Sequence, residues 1–145
     1  MISVIASAAP AVRSDMLVST AWLEQHLNDS NIVILQVSRD HTAYDAGRIP
    51  GARFLALSDI VVTRDGILNE LPPAAALKSV FERLGVSDDT RVILYGDASV
   101  LPATRVFFTL DYLGHQATAL LDGGLHKWTA ESRAPKKVPR SNRAT

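Results

Sequence analysis

Two rhythms of apolar and polar residues alternate along this chain. Residues 32–37 (IVILQV) are almost unbroken apolar and β-branched, the pattern of a strand covered on both faces in a parallel sheet. Residues 91–95 (RVILY) have the same character, and these two runs are the central-strand candidates. Residues 17–18, 52–57 and 118–121 are shorter pieces that fit further strands. Between them the spacing turns helical. Ser19 or Thr20 can cap a helix through Leu27, with Trp22, Leu23 and Leu27 on one stripe and Glu24 early in it. Asn28, Asp29 and Ser30 then supply turn chemistry. Pro73 stands where a first helical residue belongs, Leu77, Val80, Phe81 and Leu84 follow at helical spacing, and Gly85 stops the run. Ser87, Asp88 and Asp89 turn the chain toward the next strand. Ala103, Val106, Phe107 and Leu110 make the apolar face of a helix over residues 102–113, stopped by Gly114. Gly123 and Gly124 precede a last short helix with Leu125 and Trp128.

Strand and helix therefore alternate, and each crossover is long enough to hold a helix. The expected class is α/β: one domain with a mostly parallel central sheet and helices on both faces. A chain of 145 residues buries enough surface to need no disulfide or metal staple. The pattern divides it into an N-terminal extension (1–15), the domain (16–130) and a basic linker or tail (131–145).

Charge changes this picture only at the end of the chain. Fifteen basic and fifteen acidic side chains cancel, which argues against a nucleic-acid partner. Arg133, Lys136, Lys137, Arg140 and Arg143 face Glu131 alone in the last fifteen residues, so a basic tail follows a mildly acidic domain. Prolines interrupt that tail and no amphipathic helix forms from its spacing, so it reads as a solvated linker rather than a membrane or phosphate patch. No run approaches the ~18 apolar residues of a membrane span, and no membrane partner is expected. The expected compartment is the cytoplasm. The alternative is export, with residues 1–12 (MISVIASAAPAV) as the remnant of a signal peptide, since Ala6, Ala8 and Ala9 suit an A-x-A cleavage site.

The chain has no cysteine, which excludes disulfides, thiolate metal sites and a cysteine nucleophile within it. In an open parallel sheet the ligand site lies at the carboxyl ends of the strands. The strand at 91–95 runs into Gly96, Asp97, Ala98, Ser99, Val100 and Leu101 ahead of a helix. Successive backbone N–H groups there would cradle an anion or a partner's side chain. Asp97 is the most reactive group in this loop and Ser99 the next, but Ser99 would need a base, and sequence alone brings neither His115 nor His126 to it. Loop and helix-cap hydrogen bonding is the plainer role for both. Arg39 and Arg48 are secondary anion-site candidates. Histidines 26, 41, 115 and 126 lack metal-ligand spacing, and Gly123–Gly124 is too short for a dinucleotide fingerprint, so no metal and no cofactor is expected.

Several of these pieces together resemble the rhodanese family. YDAGRIPGA at 44–52 is similar to the signature in which an aromatic residue precedes G-H-I-P-G-A. LGHQATALLDGGLHKW at 113–128 resembles the family's closing L-G-H, D-G-G and W elements, and order and spacing agree over about residues 16–130. The resemblance is closest to the first domain of tandem thiosulfate and mercaptopyruvate sulfurtransferases, through a V-S-T-x-W-L start at 18–23 and an R-x-F/W-F/W helix at 105–108. In active members the loop after the strand at 91–95 begins with a cysteine that carries sulfur as a persulfide. Here the matching position is Asp97, or Gly96 in an alignment shifted by one.

The resemblance thus implies half of an enzyme, as a fragment, a cleavage product or an isolated domain. It would be a non-catalytic unit supporting a cysteine-bearing catalytic rhodanese domain, its expected partner, with Phe107, Phe108 and Trp128 serving the core or the partner face. The alternatives are a stand-alone anion- or partner-binding regulatory module, and an enzyme using Asp97. Three departures stand out. Arg48 replaces the usual histidine of the signature. Gln36 replaces a common strand aspartate. FLALS at 54–58 and NELP at 69–72 lack the acidic and histidine residues of mercaptopyruvate-type members, which favours a thiosulfate assignment.

Overall fold

The computed structural model describes residues 16–97 and 99–131; the expectations for residues 1–12, Ala98 and residues 132–145 lie outside them. Five parallel strands form the central sheet: β1 (Leu17–Val18), β2 (Ile32–Ser38), β3 (Arg53–Ala56), β6 (Arg91–Gly96) and β7 (Thr118–Leu121), in the order β1-β7-β6-β2-β3. The two apolar runs thus lie side by side, in register from Ile32 opposite Arg91 to Val37 opposite Gly96.

Because side chains alternate across a strand, β2 and β6 feed two cores. Val33, Leu35, Val37, Val92 and Leu94 pack under α3 (Ala74–Arg83) and α4 (Leu101–Tyr112), where Leu77, Phe81, Val106 and Leu110 meet them. Ile34, Ile93 and Tyr95 point the other way, against α1 (Thr20–His26) and α5 (Gly124–Ala130), with Leu23, Ile49 and Trp128. Each such fully buried side chain stabilises the fold by about 1.5–3 kcal/mol relative to leaving it in water.

The local signals behave largely as their chemistry dictates. Ser19 caps α1, its Oγ accepting from Trp22 N–H at 3.0 Å, and Gly85 and Gly114 follow the ends of α3 and α4. Four details differ from the sequence reading. Pro73 is the cap residue rather than the first helical residue, since its ψ of 144° is extended. The third long helix begins one residue early, at Leu101, with Pro102 in its first turn, where a missing N–H costs nothing. Strand β3 ends at Ala56, because Leu57–Ile60 already winds into a 3-10 turn that buries Ile60. The elbow at 44–52 starts inside a short helix, α2 (Thr42–Ala46).

A further element has no counterpart in that reading. Strands β4 (Val62–Arg64) and β5 (Ile67–Glu70) form an antiparallel hairpin outside the main sheet. Asp65 and Gly66 make its turn with φ of 51° and 78°, the paired positive values that match hairpin twist. No helix among the described residues is long and apolar enough to cross a membrane.

Candidate functional site

Strand β6 delivers its loop to the carboxyl edge of the sheet, between the ends of β2 and β7. The loop's first residue is pinned. A Cβ built on Gly96 falls against the Ser99 carbonyl oxygen, so no side chain fits there without moving backbone. Of the two positions that could match a family nucleophile, only Asp97 has room for one, and it is exposed. Ser99 serves the start of α4: its Oγ accepts from Leu101 N–H at 3.1 Å. Val100 and Leu101 stand out from the loop, Leu101 with 71% of its surface exposed.

Two clefts flank this loop. One, of about 390 Å³, is bounded by Leu17, Tyr95, Asp97, Asp122 and His126 among others. The other, of about 330 Å³, lies between Arg39, Leu57, Val61, Ser99, Leu101 and Arg105. The first holds carboxylates and an imidazole, the second two guanidinium groups. The structure therefore brings His126 into the cleft of the loop, which linear spacing did not reveal. His115 sits at the far end of the sheet, in a groove between α3 and α4. Arg39 reaches the loop, whereas Arg48 lines neither flanking cleft. Its guanidinium donates to the Tyr44 carbonyl at 3.2 Å and lies 4.3 Å from the centre of the Tyr44 ring. In the sequence Arg105 is one residue of the helix motif at 105–108, and its place beside Arg39 follows from the packing of α4 against β2.

Beneath the loop runs a buried polar chain. Ile49 N–H donates to the Tyr95 hydroxyl at 3.1 Å, and that hydroxyl donates to Gln36 Oε1 at 2.9 Å. Burial pushes the Tyr95 phenol far above its ordinary range, overriding the opposite pull of the Ile49 N–H. Segment 44–52 is thereby tied to both central strands, and the Tyr44 hydroxyl closes it by donating to the Ala52 carbonyl at 2.7 Å. Gln36 thus takes a structural part at the place of the family's aspartate. Gln36 Nε2 and Ser38 Oγ, on the same face of β2, are buried without a hydrogen-bond partner among the described residues.

Chemically the loop can bind and dock. No thiol exists in the chain to carry sulfur, and no group of three histidine, aspartate or glutamate side chains able to hold a metal ion occurs among the described residues.

A doubly covered parallel sheet, with its candidate site in the loop between β6 and α4, defines the class of domain. The model of the family described as "Rhodanese-like domain" matches residues 19–131, and the chain belongs to that family. It is 40% identical over 123 residues to "Sulfur carrier protein TtuD" of Thermus thermophilus, covering 82% of this chain and 41% of that protein. With "Thiosulfate/3-mercaptopyruvate sulfurtransferase 2" of Arabidopsis thaliana it shares 30% identity over 133 residues, covering 86% of this chain and 39% of the relative. The chain thus spans less than half the length of these relatives. The crystal structure of the 3-mercaptopyruvate enzyme SseA from Escherichia coli superposes with a TM-score of 0.75 at 24% identity, covering 84% of this chain and 51% of that one. That likeness shows the fold.

Proposed function

We propose that this chain is the cysteine-less, non-catalytic unit of a two-unit sulfurtransferase of the thiosulfate type, forming one wall of a cleft completed by a cysteine-bearing rhodanese domain. The observation that carries this reading is the loop after β6. Of the two matching positions, Gly96 has no room for a side chain and Asp97 is exposed, and no cysteine exists anywhere in the chain. The exposed Val100 and Leu101 beside that loop supply apolar surface for a companion. The relatives are more than twice as long as the matched stretch, which leaves length for a second unit and supports this reading.

On the companion, a cysteine thiolate takes the outer sulfur of thiosulfate and releases sulfite. The persulfide so formed then passes that sulfur to cyanide or a thiol and regenerates the thiolate. This chain's part is to shape the cleft and exclude water from it. The test is a thiosulfate-to-cyanide assay. This chain alone gives no thiocyanate, and turnover appears when it is joined to the cysteine-bearing unit. If the purified chain binds sulfane sulfur and transfers it unaided, the reading fails.

A second reading, a stand-alone anion-binding module, draws on the paired arginines of the 330 Å³ cleft. It differs in requiring no companion for its full activity, which is binding without turnover.

A further inference from the structure

We infer that the groove between α3 and α4, at the amino end of the sheet, is a binding site for a free amino acid with a branched aliphatic side chain. At about 430 Å³ it is larger than either cleft beside the β6–α4 loop, and it lies at the opposite end of the sheet from them. Its floor belongs to the core. Phe81, Val86 and Leu110 are buried members of the α3/α4 cluster, and Leu113 packs against them half-buried. A hydrocarbon arm laid on this floor leaves water for an apolar surface, and that burial supplies most of the affinity.

The rim carries charge of both signs. Lys78 and Glu82 stand one turn apart on α3, and Asp88 lies in the turn ahead of β6. A lysine four residues before a glutamate is the poorer order for a helical ion pair. None of these three side chains makes a hydrogen bond or ion pair among the described residues, so all remain available. The His115 imidazole, also lining the groove, makes no hydrogen bond among the described residues either, and its buried Nε2 is a polar group still to be satisfied.

Charge complementarity then narrows the ligand. A plain organic cation meets Lys78, and a plain organic anion meets Glu82 and Asp88. A zwitterion satisfies both sets, its ammonium facing the two carboxylates and its carboxylate facing Lys78. Because the rim groups are exposed, each contributes modestly, and their sum sets selectivity more than affinity. The volume limits the occupant to a small molecule, and the apolar floor requires that it carry a hydrocarbon arm.

The experiment follows amide chemical shifts of the 145-residue chain, at neutral pH and low ionic strength, on titration with leucine. Saturable shifts centred on residues 78–88 and 110–115 are expected. Three analogues each remove one feature: isopentylamine lacks the carboxylate, isocaproate the ammonium and glycine the arm. Each should bind about fivefold or more weakly than leucine. Glu82→Gln combined with Asp88→Asn should weaken leucine by about the same factor. Lys78→Gln should weaken leucine while leaving isopentylamine no weaker than before. These side chains are exposed, so the fold is kept, as an unchanged amide spectrum away from the groove will show. The inference is overturned if leucine gives no saturable shifts, if the shifts centre elsewhere, if any analogue matches leucine, or if the double variant binds as the wild type does. Because the readout is binding at the amino end of the sheet by this chain alone, it stands or falls separately from the sulfur-transfer assay.

Discussion

The Tyr95 hydroxyl donates to Gln36 Oε1 across the β2–β6 pair, two residues that the sheet places directly opposite one another although 59 positions separate them. The same oxygen accepts from Ile49 N–H, so one phenol joins both central strands to the segment at 44–52.

Removing that hydroxyl leaves a buried N–H and a buried amide oxygen unpaired. Tyr95→Phe is therefore expected to destabilise the domain by about 1–3 kcal/mol, measured by urea or guanidinium unfolding. An unchanged midpoint would mean that the chain of hydrogen bonds contributes nothing net.

The same phenol makes stability depend on pH at the alkaline end. Its folded-state value is raised above the ordinary 10.0, so the folded protein holds a proton that the unfolded chain releases. The associated stability is present in full below about pH 10 and is lost progressively as pH rises beyond it. Thermal melts from pH 8 upward should show a steeper alkaline decline for the wild type than for Tyr95→Phe. Parallel curves would show that this group is not the source.

At the loop, Gly96→Ala drives a methyl against the Ser99 carbonyl and is expected to cost about 1–3 kcal/mol or to shift the loop. Asp97→Cys, one residue further on, meets no such crowding and should yield a folded protein whose thiol titrates with a disulfide reagent. Equal stability of Gly96→Ala and wild type would remove the basis for preferring Asp97 as the vacated position.

Core and exposed apolar residues should separate cleanly. Trp128, 1% exposed, anchors the α1/α5 core, and Trp128→Ala should cost about 3–5 kcal/mol. Leu101→Ser alters a side chain that is 71% exposed, so stability should stay within about 0.5 kcal/mol. The same change should weaken association with a cysteine-bearing unit, read by sedimentation or titration calorimetry. Full association by Leu101→Ser would move the companion's seat elsewhere.

In the hairpin, Gly66 holds φ of 78° with open space where a Cβ would go, so Gly66→Ala tests backbone strain alone. About 1–2 kcal/mol is expected, read as a lowered unfolding midpoint.

Much of this architecture was legible in the sequence because its strongest signals are local. The runs at 32–37 and 91–95 announce doubly covered strands, and the stripe from Leu77 to Leu84 announces α3. The Asp65–Gly66 dipeptide is an equally local hairpin signal, but the strands on either side have only three and four residues, too few for a clear alternation. What sequence could not supply is the pairing of distant side chains. Gln36 reads as a polar interruption in an apolar strand until Tyr95 stands opposite it. Arg39 and Arg105 belong to different elements and share a cleft only because the end of β2 lies beside the start of α4. His126 met the loop for a similar reason, since β7 carries α5 to the same edge of the sheet. Arg48 looked equivalent to Arg39 as a charge, but its position four residues after Tyr44 turned it back onto that residue's ring and carbonyl.

The outermost strands of the sheet, β1 and β3, are only two and four residues long. A strand that short presents too few unpaired backbone groups to template a neighbour's chain, and Arg53 adds a charge at the start of β3. Among the described residues the central sheet therefore offers a neighbour's strand little edge to pair with, while its carboxyl-edge surface stays open.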